Sequence, residues 1–75
     1  MELTLTIGTR ITELRKQRGI SQEELCNAAG ISRKAMHNIE NGKCSVGIKT
    51  LYKITTVLGI SVSEFFSTFN SNYEI

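Results

Sequence analysis

Aspartate, proline and tryptophan are absent from this sequence, and histidine occurs once, at His37. Each gap removes a class of chemistry. Without aspartate and with a single imidazole, Ser-His-Asp catalysis, calcium loops and histidine-rich metal sites have almost no raw material. No nucleophile–base pair and no phosphate-cradling glycine loop is visible either. The expectation is a protein that is not an enzyme and that uses no metal, no cofactor and no small-molecule ligand. Cysteine is nearly as scarce. Cys26 and Cys44 do not form a CxxC pair, and two thiols in 75 residues without a signal peptide fit a reducing cytoplasm better than a disulfide framework. No apolar run approaches the length of a membrane span, so a cytoplasmic chain without a membrane partner is expected.

Net charge is also small, at +2. Its distribution is uneven. Residues 1–53 hold all nine Lys and Arg against five Glu, a local balance of +4, whereas residues 54–75 hold only Glu64 and Glu74, a balance of −2. One end of the molecule can present positive potential to a polyanion. The plainer alternative is that Arg10, Arg15, Lys16, Arg18, Lys49 and Lys53 solvate helix faces, and charge alone does not decide between the two. The apolar fraction of 40% suits a compact helical bundle, and the length suits one domain, 1–75.

The tripeptide Gly-Ile-Ser occurs three times, at 19–21, 30–32 and 59–61. Glycine accepts the left-handed conformation that ends a helix, the isoleucine folds back on its last turn, and the serine hydroxyl caps the next helix. Ser21 with Glu24 and Ser61 with Glu64 have capping-box spacing, and Gly42 is a fourth stop signal. The copies are unevenly spaced, so this is reused linker chemistry and not a solenoid repeat. These marks predict an all-α bundle of five short helices at about 7–18, 22–29, 33–41, 48–58 and 62–69. Ile7, Ile11 and Leu14 form one apolar stripe, and Ile48, Leu51, Ile54 and Leu58 another. Residues 1–6 alternate Leu with Thr and fit a frayed arm, an edge strand or an early start of the first helix.

Residues 21–42 carry the functional signal. Leu25 and Ala29 are apolar on a short helix, Gly30 turns the chain, and a second short helix points Met36 and Ile39 inward. Helices joined so tightly cross steeply and need small residues at the crossing, a demand that Cys26, Ala28 and Ala29 meet. Arg33, Lys34, His37, Asn38 and Asn41 are left on the outer face, where such side chains donate to base edges and phosphates of a major groove. A cationic pair at a helix start opposes the helix dipole, a mild cost that an anionic partner would offset. His37 also reads as a plain exposed histidine, Cys44 as a loop thiol and Cys26 as a small core residue.

In this segment the chain resembles the phage lambda repressor and Cro type of helix-turn-helix domain, the XRE family. The resemblance runs from about Ile7 to Phe69. It rests on Leu14-Arg15-Lys16-Gln17-Arg18-Gly19, Ser21-Gln22-Glu23-Glu24-Leu25, Ala29-Gly30-Ile31-Ser32, Ile39-Glu40-Asn41-Gly42-Lys43, Leu51-Tyr52-Lys53-Ile54, and Leu58-Gly59-Ile60-Ser61 followed by Phe65-Phe66. What it implies is a transcriptional regulator that binds duplex DNA. Arg33, Lys34, Ala35, His37 and Asn38 would face the bases. Ser21, Gln22, Ser32, Asn41 and Lys43 would lie along the phosphates, with Gln22 also able to brace the recognition helix. Arg15 and Glu40 match a structural ion pair between the first and third helices. Three departures stand out: Cys26 replaces a usual alanine, Lys43-Cys44-Ser45-Val46-Gly47 lacks the proline common in that loop, and His37 sits where the family varies widely.

At the C-terminal end Phe65, Phe66 and Phe69 crowd together with Ile60 and Val62 beside them. These five are the expected homodimer contact, on a helix at about 62–69, because so small a core can hardly shield every ring. The alternative is that the whole cluster is core. Phage-type repressors and restriction-modification controllers both fit the pattern, and the stretch 45–66 resembles the controllers. The antitoxin half of a toxin–antitoxin pair, or a protein-interaction module on the same fold, stays open and would bring a protein partner.

Overall fold

The computed structural model describes the backbone of residues 3–67 and the side chains of residues 6–67. Five helices follow one another: α1 Leu3–Gln17, α2 Gln22–Ala29, α3 Arg33–Glu40, α4 Ile48–Leu58 and α5 Val62–Ser67. Of the three readings of the first residues, the early helix start is the one found, from Leu3 onward. Residues 68 and 69, where the sequence extends the last helix, lie outside the described residues.

The three Gly-Ile-Ser segments are built alike. Gly19, Gly30 and Gly59 take φ of 67°, 70° and 80°. The amide of each following isoleucine donates to the carbonyl five residues earlier: Ile20 to Arg15 at 3.1 Å, Ile31 to Cys26 at 2.9 Å and Ile60 to Thr55 at 3.0 Å. That bond closes the last turn of the preceding helix and turns the isoleucine side chain back onto the core. Ser21, Ser32 and Ser61 then accept from the amides of Glu24, Ala35 and Glu64 at 3.0, 3.1 and 2.9 Å. Glu24 and Glu64 complete capping boxes by accepting from the serine amides at 2.8 and 3.0 Å. The two bonds from Ser21, first from its amide and then from its side chain, hold the Glu24 carboxyl below its ordinary value of 4.5.

All five helices contribute to one core: Ile7, Ile11 and Leu14 from α1, Leu25, Cys26 and Ala29 from α2, Met36 and Ile39 from α3, Leu51, Ile54 and Leu58 from α4, and Phe65 from α5. Two expected positions differ. Ala28 is exposed, so Cys26 and Ala29 supply the small residues of the α2–α3 crossing. Ile48 leaves the α4 stripe: at about 100° per residue it lies 60–120° around the helix from Leu51, Ile54 and Leu58. It is 66% exposed and forms a second apolar strip with Tyr52, one turn on and 64% exposed.

α1 crosses α3 at Gly8, where no side chain fits. A Cβ there would lie 2.2 Å from the Ile39 carbonyl oxygen and 2.8 Å from that of Glu40. Further along, Arg18 Nε donates to the carbonyl of Leu58, so a guanidinium from the end of α1 satisfies the C-terminus of α4. Among the described residues, no helix is long and apolar enough to cross a membrane.

Candidate nucleic-acid interface

α3 is eight residues long and strongly two-faced. Met36 and Ile39 are sunk in the core, and Arg33, Lys34 and His37 stand in solvent on the opposite side. Ala35 and Asn38 are half-buried along the flanks. Arg33 and His37, one turn apart, and Lys34 and Asn38, likewise one turn apart, make two parallel rows along the helix. Past its end, Asn41 is exposed and its Nδ2 donates to the His37 carbonyl at 2.7 Å. Its amide nitrogen also lies 3.4 and 3.5 Å from the two His37 ring nitrogens. The Lys43 amide donates to the Asn38 carbonyl at 2.9 Å, which curls the loop and leaves the Lys43 side chain exposed.

The residues expected along phosphates occupy helix ends. Ser21 and Ser32 accept cap bonds through Oγ; the Ser32 hydroxyl keeps its proton to donate outward, whereas that of Ser21 is turned to the Glu24 carboxylate. Gln22, first residue of α2, is half-buried, and its Nε2 donates to Glu40 Oε1 at 3.2 Å. The amide therefore braces the end of α3.

Glu40 is the centre of the arrangement. Its buried carboxylate takes Arg15 Nε on Oε2 at 2.9 Å, and Arg15 Nη2 at 3.2 Å, Thr12 Oγ1 at 2.9 Å and Gln22 Nε2 at 3.2 Å on Oε1. Arg15 Nη1 donates in turn to the Ile20 carbonyl at 3.0 Å. One carboxylate thus fastens α1 and α2 to the last turn of α3. This two-pronged pair is nearly dry, and its lone pairs are taken up by neutral donors, the condition under which a buried ion pair holds geometry. Thr12 carries no sequence signal for this role. Gly8 has one, an isolated glycine inside a helical pattern, which marks a close approach without saying to what.

Of the residues expected at a dimer contact, Phe65 is corrected. It is fully buried in the core of its own chain and has no surface to offer a second copy. Phe66 packs against it edge to face, with ring centroids 5.3 Å apart and planes at 87°, and is half-buried, as are Ile60 and Val62. Phe69 lies outside the described residues. Among the described residues the exposed large apolar side chains are instead on α4: Ile48 and Tyr52, with Val62 and the stems of Lys49 and Lys53, line a shallow groove of about 550 Å³. Among the described residues no group of His, Cys or Glu is placed to hold a metal ion, and both cysteines are free, Cys26 buried and Cys44 exposed.

Two short helices crossing over a three-residue joint, clamped by a third helix and presenting a face of Arg, Lys and His, form a helix-turn-helix unit. The chain belongs to the helix-turn-helix family HTH_3, which matches residues 11–65. Over 63 residues it is 43% identical to the HTH-type transcriptional regulator PuuR of Escherichia coli K12, covering 84% of this chain and 34% of that protein. The chain therefore spans about a third of the length of that relative. The restriction-modification controller protein C.AhdI of Aeromonas hydrophila superposes with a TM-score of 0.80 at 33% identity, over 84% of this chain and 96% of that one. The tetramer of the controller C.Esp1396I, solved in complex with its natural 35-base-pair operator, matches with a TM-score of 0.85 at 25% identity, over 95% and 93% of the two chains.

Proposed function

We propose that this chain is a sequence-specific, non-enzymatic DNA-binding regulator of transcription that acts in the cytoplasm as a homodimer on an inverted-repeat operator. The observation that carries the reading is the outer face of α3, basic and amide-bearing on a helix whose other face is immobilised in the core. Arg33 suits guanine O6 and N7, Asn38 suits adenine N6 and N7, and Ala35 suits a thymine methyl, with Lys34 and His37 as the further donors. Ser21, Gln22, Ser32, Asn41 and Lys43 flank that face at two helix starts and one loop, where backbone amides and side-chain donors meet phosphates. The operator-bound controller relative supports DNA as the partner of this fold.

The dimer contact is the α4–α5 side, with Ile48, Tyr52, Val62 and Phe66 as its apolar centre and Lys49 and Lys53 at its edge. A two-fold dimer of this kind places two α3 helices in successive major grooves, about 34 Å or roughly 10 base pairs apart. Selection from a random duplex library at near-physiological salt tests the reading. Enrichment of an inverted repeat with half-sites about one turn apart supports it; retention of all sequences alike, with strong salt sensitivity, sinks it. The exposed Ile48–Tyr52 strip also favours a second reading, in which a different protein such as a toxin occupies that face. A monomer at micromolar concentration that selects no repeat would point there.

A further inference from the structure

Of the two cations that open α3, only Arg33 is tethered among the described residues. Its Nη2 lies 3.4 Å from Glu23 Oε1, across the joint on the first turn of α2. Lys34, beside it, has no carboxylate within ion-pair reach among those residues. The two acids of that first turn have different tasks. Glu24 is committed to the capping box with Ser21, and the carboxylate of Glu23 is left to meet Arg33.

The side chains of Arg33 and Glu23 are 76% and 61% exposed. Ion pairs this open contribute little to stability. What the contact does is set a direction. It engages a single N–H of Nη2, and the second N–H of Nη2, both of Nη1 and that of Nε meet no acceptor among the described residues. Those remaining donors are the planar fork that fits O6 and N7 of guanine. A free arginine at a helix start has many rotamers to lose on binding, and one already leaning on a carboxylate has fewer. The same carboxylate stands at the start of α2, beside the surface assigned to phosphates, where its charge repels a backbone that offers no guanine in exchange.

We propose that Glu23 is a positioning residue that sets specificity, aiming the Arg33 guanidinium at a guanine edge and penalising duplexes that lack one at that position. The proposal rests on the reading of α3 as the base-reading helix. Both effects act in one direction, widening the gap between cognate and unrelated DNA while leaving the fold unchanged.

The test uses the duplex selected by the wild-type chain together with the set in which each base pair is changed in turn. Each is titrated by fluorescence anisotropy at several salt concentrations against wild type, Glu23→Gln, Arg33→Ala and the double variant. Glu23→Gln is expected to unfold at the wild-type temperature and to lose about fivefold of the preference for guanine at the one position that Arg33→Ala also affects. It should bind unrelated duplex more tightly, with a steeper salt dependence, because Arg33 is then free to find phosphate. In the double variant the loss of preference should match that of Arg33→Ala alone. If Glu23→Gln changes every duplex by one common factor while Arg33→Ala still acts at one base pair, the positioning role is overturned and base reading by α3 stands. If Arg33→Ala alters no base preference, both are overturned.

Discussion

Replacing Glu40 by alanine should be among the most damaging single changes available to this chain. In the Arg15–Glu40 pair the two side chains are only 13% and 5% exposed. Removing the carboxylate strands the Arg15 guanidinium in a nearly dry site, takes the acceptor from Gln22 Nε2 and leaves Thr12 Oγ1 only the Gly8 carbonyl at 3.1 Å. Breaking a buried pair from one side costs about 3–5 kcal/mol, because the surviving charge stays buried. A domain of this size has roughly 4–11 kcal/mol of stability in total, at about 0.05–0.15 kcal/mol per residue. The expected result is a melting temperature lower by about 12 °C or more, given about 4–8 °C per kcal/mol for small domains. Thermal and urea unfolding followed by circular dichroism measure it. The partner experiment is Arg15→Met with Glu40→Leu, which removes both charges and keeps apolar volume. It should recover most of the loss, since the penalty comes from the orphaned charge and not from the missing bond. A Glu40→Ala loss below about 1 kcal/mol, the size found for exposed pairs, would refute the claim that this carboxylate fastens three helices.

Gly8→Ala would add about 1 kcal/mol of helix propensity on an open face, yet here the methyl meets the Ile39 carbonyl oxygen. A net loss of about 1–3 kcal/mol in urea unfolding is expected, and a stabilised variant would contradict the close crossing. Tyr52→Glu should leave the fold intact, because the ring is mostly exposed, and should convert a dimer to a monomer by analytical ultracentrifugation; an unchanged dimer places the contact elsewhere. Lys43→Ala should weaken binding evenly across sequences and lower the salt slope by about one, and a changed base preference would show that it touches a base. Glu24 titrates below 4.5 when folded, so its stabilisation is complete above that value and is lost as pH falls through the lower folded value. Glu24→Gln should therefore flatten the acid limb of stability measured between about pH 5 and 2; an unaltered limb would mean that the capping box carries no linked proton.

The helix boundaries were legible because each Gly-Ile-Ser segment holds a stop and a start within three residues. Local chemistry of that kind does not depend on distant partners. The outer face of α3 was legible for a related reason: once Met36 and Ile39 are inward, the helical period leaves Arg33, Lys34 and His37 outside. The pairing of Arg15 with Glu40 came from resemblance and not from spacing, since 25 residues of separation carry no periodic signal. The illegible parts depend on how whole helices sit. Gly8 has no neighbour in sequence that explains it, because the obstructing carbonyl belongs to the end of α3. Ile48 falls outside the buried stripe because the other three matches mask its angular offset of 60–120°, and the packed helix leaves that side in solvent. Phe65 and Phe66 differ by about 100° around α5, so one of them had to face outward, and the sequence does not say which.

The joint between α2 and α3 has no slack. Gly30 closes one helix, Ser32 opens the next, and Ile31 is bonded back and half-buried between them. Adding or deleting one residue inside α3 would turn everything beyond it by about 100° about the helix axis, exchanging part of the outward face for Met36 and Ile39. The joint itself has no spare residue to absorb the change. If α3 reads bases as proposed, new target sequences are open to this chain by substitution along α3 and closed to it by insertion. Its recognition surface behaves like a printing block, in which the type can be reset but the frame cannot be widened.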